Sequence, residues 1–218
     1  NFNPMDLFKE NTDWVKVLKP LIAKYKENKH PLDYHNLYQL MLMVVLSAQD
    51  SDAHINKLAP ALFEKYPNLK AFAKAEKNDL ELLIGKVRGF DKKSDWLLEI
   101  ARQLKEDKNI PTTMKDLTAL KGIGRKSANV IMREAEKKAE GIMVDLHVLR
   151  VVPRLGISQA KTGDKMEKDL MAILPQNMWR EIGMAISFLG RETCRPTNPK
   201  HGNCILSEHC AYCHVNNP

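Results

Sequence analysis

Apolar residues return every three or four positions through most of this 218-residue chain, and nowhere do they alternate long enough to build a strand face. Ile55, Leu58, Ala59 and Leu62 keep an i, i+3, i+4, i+7 spacing behind a Ser51-Asp52 start signal. Leu97, Ile100, Ala101 and Leu104 repeat it behind Ser94. Ala128, Ile131, Met132 and Ala135 make a third stripe, and Trp179, Ile182, Gly183 and Ile186 mark a late helix. A 3.6-residue period puts each set on one helical face, which needs other helices to bury it. The expected class is therefore all-α. Leu37 to Lys138 reads as several short helices joined by brief turns. Gly141 to Val144 reads as a buried connector, and further helices and a cysteine-rich tail follow. No flexible linker separates the two stretches, so any two lobes should pack tightly.

Composition narrows the partner. Apolar residues make up an ordinary 44% and no low-complexity tract is present, which excludes disorder as the default. The net charge of +7 and pI near 9.1 favour a polyanion, although charge of this kind confers affinity and not sequence preference. Asn1 to Trp14 contains no apolar core of a secretory signal, and the longest apolar run, Leu40 to Leu46, is far too short to span a bilayer. The expectation is a soluble, intracellular, cytoplasmic protein with no membrane partner, and a monomer in its simplest form. With Asn at position 1, the sequence reads as starting inside a longer natural chain.

The chemistry concentrates after Thr113-x-x-Asp116, a capping-box pattern that opens a short helix. Leu120-Lys121-Gly122-Ile123-Gly124-Arg125-Lys126-Ser127-Ala128 follows. Two glycines one residue apart permit a tight hairpin with main-chain N–H groups turned to an external anion, and the second helix points its positive end there. Such a unit grips phosphate without reading a base; a plain glycine turn between helices has the same pattern. Lys126 opens that second helix. An amine attacks carbon only when unprotonated, and the helix N-terminus, Arg125 and partial burial would each favour the neutral form. A solvated or phosphate-binding lysine is the commoner role. Asp145 lies between Gly141–Val144 and Leu146-His147-Val148-Leu149-Arg150, an N-cap position. A rigid carboxylate there also suits stabilising a cation or assisting proton transfer.

All four cysteines, Cys194, Cys204, Cys210 and Cys213, fall in the last tenth of the chain, in the order C-x9-C-x5-C-x2-C. In an intracellular protein this clustering points to a metal more than to disulfides. With His201 among them, a tetrahedral zinc site is one outcome, although the order does not match paired CxxC knuckles. Packed or oxidised thiols are another.

Taken together, these residues resemble the helix-hairpin-helix DNA glycosylases, and among them the endonuclease III type. Leu46-Ser47-Ala48-Gln49 is similar to the family's LSAQ, and Leu120 to Asn129 to LPGVGRKTAN with Lys121 for proline. Val144 to Val148 is similar to VDTHV with Leu146 for threonine, and Gly190 to Cys194 to the entry of the iron–sulfur loop. The four segments lie in family order and cover nearly the whole chain. The resemblance implies two helical lobes with DNA in the cleft: a six-helix barrel over 29–140 carrying the hairpin, and a cluster domain of 1–28 plus 141–218. It implies an enzyme of base excision repair, nucleoid-associated, whose partner is double-stranded DNA with a damaged base or abasic site. Lys126 would form a Schiff base and cleave by β-elimination, aided by Asp145, after removal of an oxidised pyrimidine. Gln49 would fill the space left by the flipped nucleotide, and Phe90 would wedge between bases; helix capping and core packing are the plainer roles of those two. Gly122, Gly124, Arg125 and Lys121 would hold the DNA backbone.

The family spacing C-x6-C-x2-C-x5-C holds a 4Fe-4S cluster. Cys194, Cys204 and Cys210 fit its first, third and fourth places, and the second is His201. Either His201 or the extra Cys213 completes four ligands, and the thiolate is the preferred donor. The loop would also bring Arg195 and Lys200 near the DNA backbone. Two other functions compete: a related glycosylase for uracil, mismatched or alkylated bases, left open by Lys121 and Leu146, and a non-catalytic DNA-binding module. Asn36, Asp50, His54 and Asp91 are candidates for the lesion pocket, each as readily a cap or a solvated side chain.

Overall fold

A computed structural model describes residues 12–216, and no strand occurs among them. The opening residues 1–11, part of the stretch examined for a signal, lie outside the described residues. In chain order the helices are α1 (Trp14–Tyr25), α2 (Leu37–Leu46), α3 (Asp52–Lys65), α4 (Leu69–Phe72), α5 (Lys77–Ile84) and α6 (Phe90–Leu104). They continue with α7 (Met114–Thr118), α8 (Arg125–Glu134), α9 (Leu146–Leu155), α10 (Gly163–Ile173), α11 (Gln176–Glu192) and α12 (Ala211–Asn216). They gather into two compact units, residues 29–137 and residues 12–28 with 138–216. The break falls three residues before the expected 140, where the Lys137 N–H closes on the Met132 carbonyl past the end of α8.

The first unit is built around α2. Its sequence, LYQLMLMVVL, is apolar on every side, and such a helix is stable only when enclosed. Eight of its ten residues are buried, against α3, α6 and α8. Asn36 caps its start, accepting from the Gln39 N–H at 2.9 Å. Ser51 caps α3 as its sequence implies, accepting from the His54 N–H. Leu97, Ile100, Ala101 and Leu104 line the buried face of α6. That helix starts at Phe90 and not at Ser94, however. Gly89, at φ +68, turns the chain into it, and Ser94 is wholly buried, its Oγ donating to the Phe90 carbonyl at 2.5 Å.

In the second unit α1 turns Trp14, Leu18, Leu21 and Tyr25 toward α11. Tyr25 stacks on Phe188 with centroids 5.6 Å apart, and its hydroxyl donates to Glu192. The connector 141–144 is buried and irregular, as its sequence implies. A methyl on Gly183 would stand 2.3 Å from the Met143 carbonyl oxygen, so α11 reaches this strip only because residue 183 has no side chain. The buried Glu167 accepts from the Ile142 N–H there. Among the described residues no helix is long and apolar enough to cross a membrane.

Candidate active-site residues

In the unit 29–137, α7 and α8 form the anticipated helix–hairpin–helix. Thr113 caps α7, accepting from the Asp116 N–H at 3.2 Å while its hydroxyl donates to the Asp116 carboxylate at 2.7 Å. Leu117, Leu120 and Ile123 are buried and root the turn. Gly122 sits at φ +78, and a Cβ on it would stand 2.6 Å from the Trp96 ring. Gly124 is extended, at φ −91 and ψ 178, and a Cβ there would meet nothing within 4 Å. The two glycines therefore have separate causes: one is demanded by fold and packing, the other leaves the outer face of the turn open. No side chain caps the start of α8, which opens with Arg125 and Lys126, both exposed. The partial burial anticipated for Lys126 is thus not among the influences on it. Lys121 is exposed too and pairs with Glu99 at 2.7 Å.

Two further loops of this unit carry the other residues singled out for DNA. Gln49 is exposed at φ +60, a conformation a residue with a Cβ rarely adopts. Phe90 is partly buried at the start of α6. Asp50 accepts from the Ser51 and Arg88 N–H groups and bonds to His54 Nδ1 at 2.8 Å. Burial pushes its carboxyl up, but these hydrogen bonds outweigh that and hold it below the ordinary range. Of the pocket candidates, Asn36 is thus a helix cap, and Asp50 and His54 are partners of each other. Sequence reasoning missed Lys93, 4% exposed, with Nζ 2.7 Å from the Leu46 carbonyl and 2.6 Å from that of Ala48. The signal was available: Lys93 occupies the buried stripe of Leu97, Ile100 and Leu104, one turn ahead of Leu97.

In the other unit, Asp145 is the N-cap of α9. Its Oδ1 accepts from the His147 and Val148 N–H groups at 2.8 and 2.9 Å, and its Oδ2 from the buried Ser187 hydroxyl at 2.6 Å. Capping and a fixed carboxylate are therefore compatible, since the three donors set the orientation of the group. Leu146, next in sequence, is 66% exposed.

Cys194, Cys204, Cys210 and Cys213 are all free thiols, and together with His201 they line one cavity. The Cys210 thiol is pushed up to about 11, foremost by burial and further by the nearby Cys204 and Cys194 sulfurs. Burial, and then Cys194 and Cys213, push Cys204 the same way. The cost of ionising Cys204 and Cys210 would be offset by a cationic centre that bound them as thiolates. Among the described residues, no three His, Cys, Asp or Glu side chains converge as a single ion would require. Thiols gathered at one cavity are donors that a zinc ion or an iron–sulfur cluster would use alike. The His201 ring stacks on Tyr212 with centroids 5.8 Å apart. Two arginines not singled out in sequence hold this loop: Arg150 donates to the Cys194 and Gly190 carbonyls, and Arg154 to those of Arg195 and Pro196 while lying over the Tyr212 ring.

The chain is similar to known proteins over most of its length. Residues 42–176 match the model of the HhH-GPD superfamily of base excision DNA repair proteins. An endonuclease III from a Synechocystis strain is 35% identical over 201 residues, covering 91% of this chain and 90% of the relative. The structure of a non-covalent endonuclease III–DNA complex superposes with a TM-score of 0.82 at 28% identity, covering 99% of this chain and 98% of that one. A trapped endonuclease III–DNA covalent intermediate matches with the same score and identity, over 99% of each chain.

Proposed function

We propose a function from this premise: the chain belongs to the HhH-GPD superfamily of base excision DNA repair proteins. The protein is a DNA glycosylase with abasic-site lyase activity that removes damaged, oxidised pyrimidines from duplex DNA. The target nucleotide is flipped out of the stack at a cost of a few kcal/mol. The Lys126 amine then forms a bond to the anomeric carbon as the bond to the base breaks, and the base leaves with that electron pair and a proton. Opening of the sugar ring gives the Schiff base. Loss of a proton from the neighbouring carbon expels the 3′ phosphate, which is the β-elimination. Asp145 assists, its charge stabilising the cationic sugar or accepting a proton. Gly122, Gly124, Arg125 and Lys121 hold the DNA backbone, and Gln49 and Phe90 enter the duplex.

The observation that carries this reading is an exposed lysine in the first turn of an uncapped helix, directly behind a left-handed glycine hairpin. The positive helix end attracts the phosphate and the amine is left accessible to the sugar. Borohydride trapping on abasic duplex DNA tests it. A covalent adduct abolished in Lys126→Gln is expected; an undiminished adduct in that variant refutes the assignment.

Cys194, Cys204, Cys210 and Cys213 would hold a 4Fe-4S cluster, with His201 the alternative to Cys213. The thiol-lined cavity supports the first set, and the His201–Tyr212 stack gives the imidazole other employment. The cluster would fix the loop and supply no chemical step. A different lesion is the second reading of specificity, favoured by the exposed apolar side chain of Leu146 beside Asp145. A panel of duplexes, each with one lesion, separates the two.

A further inference from the structure

Gln49 sits on a backbone that it would not choose unaided. Its φ of +60 costs a residue with a Cβ roughly 1–2 kcal/mol, and such a conformation persists only where the surroundings over-determine it. Two charged groups, Lys93 and Asp50, do so from both sides. Before Gln49, the Ala48 carbonyl accepts from Lys93 Nζ at 2.6 Å, and the same ammonium reaches the Leu46 carbonyl at 2.7 Å. Both carbonyls lie at the C-terminal end of α2, where the helix supplies no donors and a cation is favoured. After Gln49, Asp50 takes the Arg88 N–H on one oxygen at 3.1 Å and the Ser51 N–H and His54 on the other. Arg88 belongs to the turn that ends at Phe90, and Lys93 lies in the first turn of the helix Phe90 opens. The two loops that carry Gln49 and Phe90 are thus tied twice, once by a buried ammonium and once by a carboxylate.

We propose that Lys93 and Asp50 are positioning residues that lock the Gln49 and Phe90 loops into one preformed element, so that both side chains enter the duplex as a unit. This rests on the reading that Gln49 occupies the space left by the flipped nucleotide. Without the brace, the Gln49 backbone relaxes to an ordinary conformation and each insertion must be ordered anew on binding, which lowers affinity for the opened site alone.

The test uses the full chain and a duplex with a tetrahydrofuran abasic analogue opposite 2-aminopurine, set against an undamaged duplex. Lys93→Met and Asp50→Asn should each reduce the preference for the abasic duplex about tenfold, the worth of one hydrogen bond to a charged group. Each should also remove most of the fluorescence change on binding while leaving affinity for undamaged DNA unchanged. Combined with Gln49→Ala, either should cost much less than the roughly tenfold it costs alone, because the brace acts through the unit that Gln49 forms with Phe90. Costs that multiply in the double variants overturn the proposal, as does an equal loss on both duplexes. If Gln49→Ala itself changes neither preference nor fluorescence, the insertion reading fails and this inference with it; if Gln49→Ala changes both and Lys93→Met neither, the brace alone fails. Should thermal melting show Lys93→Met to be unfolded, Asp50→Asn decides by the same readings.

Discussion

The glycine hairpin offers the sharpest separation of folding from binding, because its two glycines meet different constraints. In Gly122→Ala the new methyl must share φ +78 and stand 2.6 Å from Trp96 Cε3 and 3.3 Å from Val45 Cγ1. The left-handed backbone costs about 1–2 kcal/mol. Overpacking against a ring fixed by a helix adds roughly 1–3 kcal/mol, and the stiffer unfolded chain returns about 0.4–1 kcal/mol. The net loss is about 2–4 kcal/mol, and at roughly 2–4 °C per kcal/mol for a chain of this size the melting temperature should fall by about 5–15 °C. Gly124→Ala has ordinary dihedrals and open space around its methyl, so it loses only the difference between glycine and alanine at an N-cap, about 0.5–1 kcal/mol. That methyl nevertheless occupies the face through which a phosphate would approach. Thermal melts and DNA titrations on both variants are the assay. Gly122→Ala should fail mainly in stability, and Gly124→Ala should melt within a few degrees of the parent while binding DNA several-fold more weakly. Equal melting losses, or a Gly122→Ala protein as stable as the parent, would refute the reasoning.

The cap and the charge of Asp145 should also separate. Asp145→Ser keeps an N-cap oxygen for His147 and Val148, so stability should fall by less than about 1 kcal/mol while base release on lesion duplexes is largely lost; Asp145→Ala should lose about 1–2 kcal/mol as well. Burial pushes His30 down to about 4, against the pull of Glu134 and Asp52 and aided by Arg133 and Lys126. The unfolded chain therefore gains a proton near pH 6.5 that the folded one refuses until about 4. Stability should be level above pH 6.5 and fall by up to about 3 kcal/mol between those values, and His30→Gln should flatten this part of a melting-temperature profile. Freshly purified protein should be brown and contain iron and sulfide. Cys213→Ala should lose both, whereas His201→Ala should retain both; the reverse pattern would give the ligand place to His201.

Legibility in the sequence followed the range of the forces involved. Caps act over three or four residues, so Ser51, Thr113 and Asp145 were readable as helix starts. Where a residue has two local meanings the prediction slipped: Ser94 looks like a cap, but a serine can equally donate back to a carbonyl four residues earlier, as it does to Phe90. The partners that give the candidate residues their geometry are remote. Ser187 reaches Asp145 across 42 positions, Lys93 reaches Leu46 across 47, and Arg150 reaches Cys194 across 44. No periodicity encodes such pairs. The hairpin was legible as a turn, but Trp96 beneath Gly122 was not, although it is Trp96 that forbids a side chain there.

The two helix starts that carry the proposed chemistry are opposites, and the difference follows from their caps. At α9 the cap is the proposed catalytic carboxylate itself: two backbone N–H groups hold one oxygen and a buried hydroxyl holds the other, so the group is oriented in advance. At α8 the cap is Gly124, which offers no acceptor, so the positive end of the helix is not satisfied by any side chain of its own. A serine or aspartate at 124 would stabilise the helix by a few tenths of a kcal/mol and would set an oxygen where the proposed DNA phosphate would bind. Asp at that position would go further, presenting a negative charge to the backbone and a counter-ion to Lys126, which favours the protonated, unreactive amine. Glycine therefore forgoes a little local stability at α8 and leaves that helix end open, while α9 gains stability from the same group that is proposed to serve the reaction. Each helix start thus keeps its own arrangement: α9 closes on its carboxylate, and α8 stays open to an external anion.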